Sequence, residues 1–400
     1  MSASIDTSAE VAPGRVGMVA VLVCTLFPML GLFAIGPALP AMTAAFSTTP
    51  DAVMMVQLMG GVAGLSFAIS APGMGWLVER LGYRRVYIVS LCALAVLGAL
   101  PAFLQDLKVI LATRLLLGVA VAGAATAGMT GLSTLPVAIR PRMFGWSAII
   151  SSVGTLITFP AVGALSTLGW RWPFAVYLLP LLVVPMAMTL PIVRPTADDA
   201  PAAGARSGGG IGVPLPILAI TGFVGLTMYV GPMFIPFYMK HIGVTDPTLA
   251  TLPISGMSAA ALLITTLYTS LHKRLGVTGL FCLMFAFTGL GFIAAGFSFG
   301  LLTLMAAMFV VSCGMSLFMP NLNAYVASTS PSPARGMGWA MASLFGVQVA
   351  FPFLARVLSD QFGPAGVFRI FGAIALVVAA GFALVLSMNG KAKRAQAVQG

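Results

Sequence analysis

Long apolar runs separated by short polar gaps organise the whole chain. Six runs lie in the first half and six in the second, near 17–40, 51–73, 84–104, 108–135, 143–168, 173–193, 214–239, 247–270, 277–298, 300–327, 335–358 and 364–388. Each is close to the roughly 20 residues that a helix needs to cross the hydrocarbon core of a bilayer. The pattern predicts an all-α integral membrane protein with twelve transmembrane helices.

The two halves repeat one another at an offset of about 193 residues, which is the sign of an internal duplication. Gly82 corresponds to Gly276, Pro160 to Pro352 and Gly169 to Gly363, in the same order within matching runs. The repeat predicts two pseudo-symmetric six-helix bundles. We place the bundles at residues 16–194 and 213–389, a linker at 195–212 and tails at 1–15 and 390–400.

Basic residues accumulate in every second gap. Fourteen of the 20 Lys and Arg residues lie there, and this set of gaps includes both tails and the linker. Lys and Arg in short loops are retained on the cytoplasmic side, so both termini are predicted to be cytoplasmic and the chain to lie in the plasma (inner) membrane. The net charge of +11 follows from this sidedness and needs no nucleic-acid partner.

The rest of the composition offers little chemistry. The four cysteines fall inside apolar runs, where they read as small apolar filler rather than disulfides or metal ligands, and no metal or other cofactor is expected. His241 and His272 are predicted in loops on opposite faces, and no Asp or Glu lies clearly within a run. A membrane enzyme needs paired titratable groups and a channel needs a polar pore. Two similar bundles that rock about a shared site favour a transporter instead.

The gap after the second run carries a charged motif, Gly75-Trp-Leu-Val-Glu79-Arg80-Leu-Gly82-Tyr-Arg84-Arg85. It resembles the loop signature of the major facilitator superfamily, Gly-x-Leu-x-Asp-Arg-x-Gly-Arg-Arg, with Glu79 in place of the aspartate. The resemblance implies that this loop is a cytoplasmic gate and that Glu79 binds the other half when the outer side is open. The alternative is that the arginines only determine topology. The gate residues are Gly75, Glu79, Arg80, Gly82, Arg84 and Arg85.

Two further spans resemble the drug:proton antiporter branch of that superfamily. Arg114 and Gly118 match its Arg-x-x-x-Gly motif, and the fifth run keeps Pro160 and Gly163 of its antiporter pattern. A guanidinium inside an apolar run needs a partner or a cavity. Arg114 is therefore predicted to bind an anionic group or, as the resemblance implies, to lie beside the pathway and influence protonation. The alternative is a structural bond to backbone carbonyls.

Polar side chains at mid-depth outline a candidate cavity. With the two arginines, the predicted set for substrate binding or coupling is Arg114, Gln57, Thr155, Thr158, Tyr229, Thr265, Tyr268, Gln348 and Arg356. Any one of the uncharged members could instead join helices. Pro160 and Pro352, which correspond across the repeat, are predicted hinges because each removes a backbone donor.

These observations predict a secondary active transporter, not an enzyme, which exports a small lipophilic or amphipathic compound by rocker-switch alternating access and is coupled to protons. The alternative is a carrier of organic anions that uses Arg114 and Arg356. A protein that has lost transport is disfavoured by the retained gate motif. We expect a monomer whose partners are the substrate, protons and membrane lipids.

Overall fold

The computed structural model describes residues 14–136, 139–191, 213–244, 246, 248–330 and 333–399, and the described chain is helical between short turns. The first six helices are α1 (Arg15–Ala45), α2 (Ala52–Leu81), α3 (Tyr83–Phe103), α4 (Leu107–Ser133), α5 (Arg140–Thr167) and α6 (Trp172–Ala187). The second six are α7 (Leu215–His241), α8 (252–275), α9 (277–295), α10 (Leu301–Val326), α11 (333–362) and α12 (364–399). The prediction of twelve membrane-spanning helices is confirmed.

Glycines turn the chain at corresponding places in the two halves. Gly82, between α2 and α3, has φ 81°, and Gly276, between α8 and α9, has φ 64°. Gly169 and Gly363 precede α6 and α12 with φ 132° and 73°. Because this region of φ favours glycine, the same residue type returns at each turn. The repeat seen in the sequence is thus a repeat of backbone geometry.

The gate motif is not the loop that we predicted. α2 continues through Glu79 to Leu81, α3 starts at Tyr83, and only Gly82 links them. A helix does not have to end where its apolar run ends, because charged residues still form helix beyond the hydrocarbon. For the same reason His272, predicted in a loop, lies in α8, and α12 continues to Gln399 through the predicted tail.

Several spans are interrupted near mid-depth, whereas α4 is unbroken. α1 becomes a 3₁₀-helix at Val23–Thr25 and again at Gly36–Ala38, and α11 does so at Val347–Ala350. α7 forms a π-helical turn at Val230–Phe234. Prolines lie in or next to three of these segments, where they remove helical hydrogen bonds. The irregular backbone of Gly36–Ala38 and Val230–Phe234 is buried between helices, as is expected at membrane depth.

The two halves meet along α1, α2 and α5 on one side and α7, α8 and α11 on the other. We call the face that carries residues 14, 82 and 276 the terminal face, and the other the opposite face. Large side chains such as Val89, Leu182 and Leu302 are exposed on the outer circumference. Lipid would cover them, because soluble monomers rarely expose extensive apolar surface.

Candidate functional site

Three glycines on one face of α2 pack against the C-terminal half. Gly60, Gly61 and Gly64 form this surface, which we call the α2 glycine groove. A Cβ at Gly61 would lie 2.8 Å from the Cα of Val349, and one at Gly64 would lie 3.0 Å from the Oε1 of Gln348. Side chains are excluded here because the backbones of α2 and α11 approach so closely.

Tyr229 of α7 is bonded to the backbone of α2. Its hydroxyl donates to the carbonyl oxygen of Gln57 at 2.6 Å and accepts from the amide of Gly61 at 2.7 Å. The side chain is fully buried, and its ring packs against Phe33 of α1 and Phe351 of α11, with centroid separations of 6.4 and 5.2 Å. Tyr229 therefore joins the two halves at mid-depth.

Gln348 of α11 lies beside Tyr229 on the same groove. Its side chain is 0 % exposed, and neither Nε2 nor Oε1 has a hydrogen-bond partner among the described residues. A buried amide without partners costs about 1–3 kcal/mol. Gln348 is thus held in an unfavourable environment in this conformation.

Two more contacts extend the closure between the halves. Gly36 of α1 lies against the carbonyl of Pro232 in the π-helical turn of α7, so closely that any Cβ would overlap the oxygen. Phe67 of α2 and Phe345 of α11 pack at 4.8 Å between centroids. These contacts between the halves, together with those of the α2 glycine groove, are called the seam below. The seam lies between the middle of the membrane and the opposite face.

A cleft of about 630 Å³ opens on the opposite face above this seam. Its walls come from the start of α2 and the ends of α1, α7 and α11, and they include Gln57, Arg356 and Pro352 of the predicted residues. Arg356 donates to Asp51 at 3.4 Å across the halves, with both side chains more than half exposed. An exposed pair of this kind contributes little stability by itself.

The terminal face carries the gate motif and the corresponding turn of the second half. Positions Gly75, Gly145 and Gly338 have free space where a side chain would stand. Glu79 is exposed and has no hydrogen-bond or ion-pair partner among the described side chains. The hydrogen bonds described between the halves join residues 51–61 to Tyr229 or Arg356.

The remaining polar candidates make no described hydrogen bond between the halves. The hydroxyl of Thr155 bonds to the carbonyl of Ser151 in its own helix, and buried Thr158 lines a narrow gap beside α1. Thr265 is exposed on α8, where its neighbour Tyr268 lies 3.3 Å from Nδ1 of His272. Their role in substrate binding stays a prediction.

Arg114 is placed inside the N-terminal half, not at the cleft or the seam. Its Nη2 donates to the carbonyls of Leu97 and Gly98 in α3 at 2.9 and 3.3 Å, and its guanidinium lies 5.6 and 5.4 Å from the rings of Phe174 and Tyr177 in α6. It is 1 % exposed, and Nε and Nη1 have no partner in the described chain. These bonds are of the structural kind given above as the alternative, and binding of substrate stays a prediction.

Because two guanidinium nitrogens of Arg114 have no partner, a substitution can separate a structural role from a functional one. We expect Arg114→Met to leave the midpoint of thermal unfolding unchanged or raised, because replacing a buried charge that lacks a counter-ion is often neutral or stabilising. We expect transport to fall at least tenfold, because a buried charge in a span is usually kept for function. Unfolding of the detergent-purified protein and uptake into vesicles measure the two effects. Lower stability with normal turnover would make Arg114 structural.

The hinge candidates differ from each other. Pro160 lies within the continuous helix α5, whereas Pro352 lies two residues after the 3₁₀ segment Val347–Ala350 of α11. Their role as hinges stays a prediction.

The glycine groove and Gly36 were not among our candidates, although Gly60, Gly61 and Gly64 recur at helical spacing in the sequence and could have indicated a close helix contact.

Comparison with known proteins assigns the family. The sequence profile of the Major Facilitator Superfamily matches residues 21–336 and 217–399. Tetracycline resistance protein, class B, of Escherichia coli is 30 % identical over 142 residues, which are 36 % of this chain and 35 % of that protein. A probable multidrug-efflux transporter of Mycobacterium tuberculosis is 25 % identical over 352 residues, 83 % of this chain and 69 % of its own.

The fold has solved counterparts. The xylose transporter XylE of Escherichia coli, in a partially occluded inward-open conformation, superposes with a TM-score of 0.69 over 91 % of this chain and 95 % of that one, at 16 % identity. The likeness shows the fold alone. Together with the profile match over both bundles, it leaves one assignment: the chain is a membrane transporter, not an enzyme, and belongs to the major facilitator superfamily.

Proposed function

We propose that this protein is a proton-coupled exporter of small lipophilic or amphipathic compounds that works by rocker-switch alternating access. One observation carries the proposal: the described close contacts between the halves lie between mid-depth and the cleft on the opposite face, and we infer from this that the halves separate at the terminal face. This is one of the two states that alternating access requires, and the other follows by rocking the halves about the same seam.

The direction follows from which face is cytoplasmic. Arg80, Arg84 and Arg85 lie at the terminal face, and so do Lys273 and Arg274 at the corresponding turn of the second half. By the positive-inside rule this face is cytoplasmic, and the described conformation takes up solute from the cytoplasm. Likeness to the tetracycline resistance protein and the multidrug-efflux transporter supports export as the direction.

The charge distribution supports an uncharged or weakly charged substrate. An organic anion would need Arg114 or Arg356, but Arg114 is buried against α3 and α6 and Arg356 is bonded to Asp51. The described carboxylates, including Asp51 and Asp360, lie near the ends of spans rather than at mid-depth. The seam at mid-depth holds instead the uncharged polar side chains of Tyr229 and Gln348, which we infer to belong to the substrate pathway.

Transport into proteoliposomes tests this function. The assay compares tetracycline, ethidium, D-xylose and benzoate, with an imposed pH gradient and after a protonophore has collapsed it. We expect movement of tetracycline or ethidium that depends on the gradient, and a matching proton flux in the opposite direction. Benzoate exchange that ignores the gradient would favour the anion carrier. Inactivity towards the whole panel, in protein shown to be folded, would reject the proposal.

A further inference from the structure

The amide of Gln348 faces the α2 glycine groove without any partner. Its Oε1 is aimed at Gly64, and the neighbouring side chains Phe345 and Phe351 are apolar. A polar group that is fully buried and unbonded requires an explanation, and a ligand that bonds to it in another state of the protein is one. Here the groove closes the amide off, so a ligand reaches it only when α2 and α11 separate.

Tyr229 differs from Gln348 in that it is hydrogen-bonded, and the backbone groups to which it bonds do not need it as a partner. The carbonyl of Gln57 and the amide of Gly61 are four residues apart, which is the spacing at which an α-helix bonds its own backbone. Because Ala52–Leu81 is one continuous α-helix, these two groups keep a partner within α2 when Tyr229 withdraws. The hydroxyl of Tyr229 is then released with one donor and one acceptor unoccupied.

We propose that Gln348 and Tyr229 form a hydrogen-bonding site that is hidden in the described state and uncovered when the opposite face opens. The ligand class is an uncharged solute, or an uncharged part of a larger one, that carries hydroxyl, carbonyl or amide groups on an apolar body. This inference rests on the proposed function and deepens it by naming the chemistry of the substrate.

The surroundings explain why hydrogen bonding, not charge, selects the ligand. The walls next to the pair are Phe33, Phe345 and Phe351, and the described ion pair of Asp51 and Arg356 lies at the membrane surface, not beside the pair. A charged group would lose its hydration here and meet no counter-ion. A solute with an apolar face and a polar edge matches both parts of the site.

The hidden position also gives the ligand a means to change the conformation. A ligand shifts an equilibrium only by the difference between its affinities for the two states. A solute that enters from the terminal face gains the bonds to Gln348 and Tyr229 only as the opposite face opens. Its binding therefore favours opening in the direction in which the solute leaves.

Electron-spin distances test the site in the full-length protein. Spin labels at Thr48→Cys and Gln361→Cys, two exposed positions on the opposite face in different halves, report its opening after the four native cysteines are replaced by alanine. The probes are tetracycline and D-xylose, which carry hydrogen-bonding groups, and tetraphenylphosphonium, which carries none. We expect at least one of the first two to increase the open population of the wild type.

The decisive variant is Gln348→Leu, which keeps the volume and removes the amide. We expect it to raise the half-saturating concentration of the active probe about tenfold, as the loss of one hydrogen bond implies, and to leave the response to tetraphenylphosphonium as it was. Tyr229→Phe should weaken the same probe. Without ligand, Gln348→Leu should unfold at a higher temperature than the wild type, because it removes the unpartnered amide.

Thr221→Val is the matched control, because Thr221 is equally buried but bonds to the carbonyl of Ile217 in its own helix. An unchanged half-saturating concentration in both Gln348→Leu and Tyr229→Phe would overturn the site. So would a wild type that opens for neither tetracycline nor D-xylose. Opening by either probe without proton-driven transport would reject the exporter and leave the binding site standing.

Discussion

Gly36→Val is expected to abolish transport while the protein still folds and inserts. Gly36 lies against the carbonyl of Pro232, and even a single methyl group there would overlap the oxygen. Neither backbone can yield cheaply, because both belong to irregular segments buried between helices. The added side chain therefore separates α1 from α7 and prevents closure of the opposite face. We expect turnover to fall at least a hundredfold, roughly the effect of 3 kcal/mol against one state.

Gly346→Ala is the control for this variant. Gly346 also lies on the inter-half surface, but a Cβ there would meet only the Cδ1 of Leu65 at 3.9 Å, which is ordinary contact. We expect near-normal turnover, which a proteoliposome assay at equal amounts of inserted protein would measure. Normal turnover in Gly36→Val would mean that the halves do not need this contact. Equal loss in both variants would point to general damage of the interface.

The sequence predicted the parts of this structure that are encoded locally. The length of each apolar run determines a span, and glycines such as Gly82 and Gly276 mark turns that only their backbone freedom allows. The charge pattern predicted which ends of the spans share a face. These features depend on residues near one another in the chain, so no knowledge of tertiary packing was needed.

The site was less accessible to sequence reasoning. Tyr229 and Gln348 were predicted to line a cavity at mid-depth, but their meeting on the α2 glycine groove depends on the register of two helices far apart in the chain. Glu79 was predicted in a loop because an apolar run reports the hydrocarbon thickness and not the end of the helix. Bonding of Arg114 to backbone carbonyls was the alternative given by the sequence, but that these carbonyls belong to α3 could not be predicted, because backbone acceptors have no sequence signature.

Glu79→Ala should reduce transport at least tenfold without disturbing the described conformation. Glu79 is exposed here and has no partner among the described side chains, so its removal costs this state nothing. In the opposite state, where the terminal face closes, its carboxylate is expected to bond to the other half. A charge-assisted hydrogen bond contributes about 1.5–3 kcal/mol, which corresponds to a tenfold or larger change in the population of that state.

The terminal face itself provides the measurement. Gly145 and Gly338 correspond across the repeat, lie one in each half and have free space around them, so spin labels attached at these positions report the opening of that face. In Glu79→Ala the long distance between the two labels, which belongs to the open state, should persist. The population with the short distance of the closed state should decrease. Glu79→Asp keeps the carboxylate and should restore both the short distance and most of the turnover. If Glu79→Ala transports normally with both distances intact, the arginines of this motif act only through topology, and the closed state must be held by the helix contacts alone.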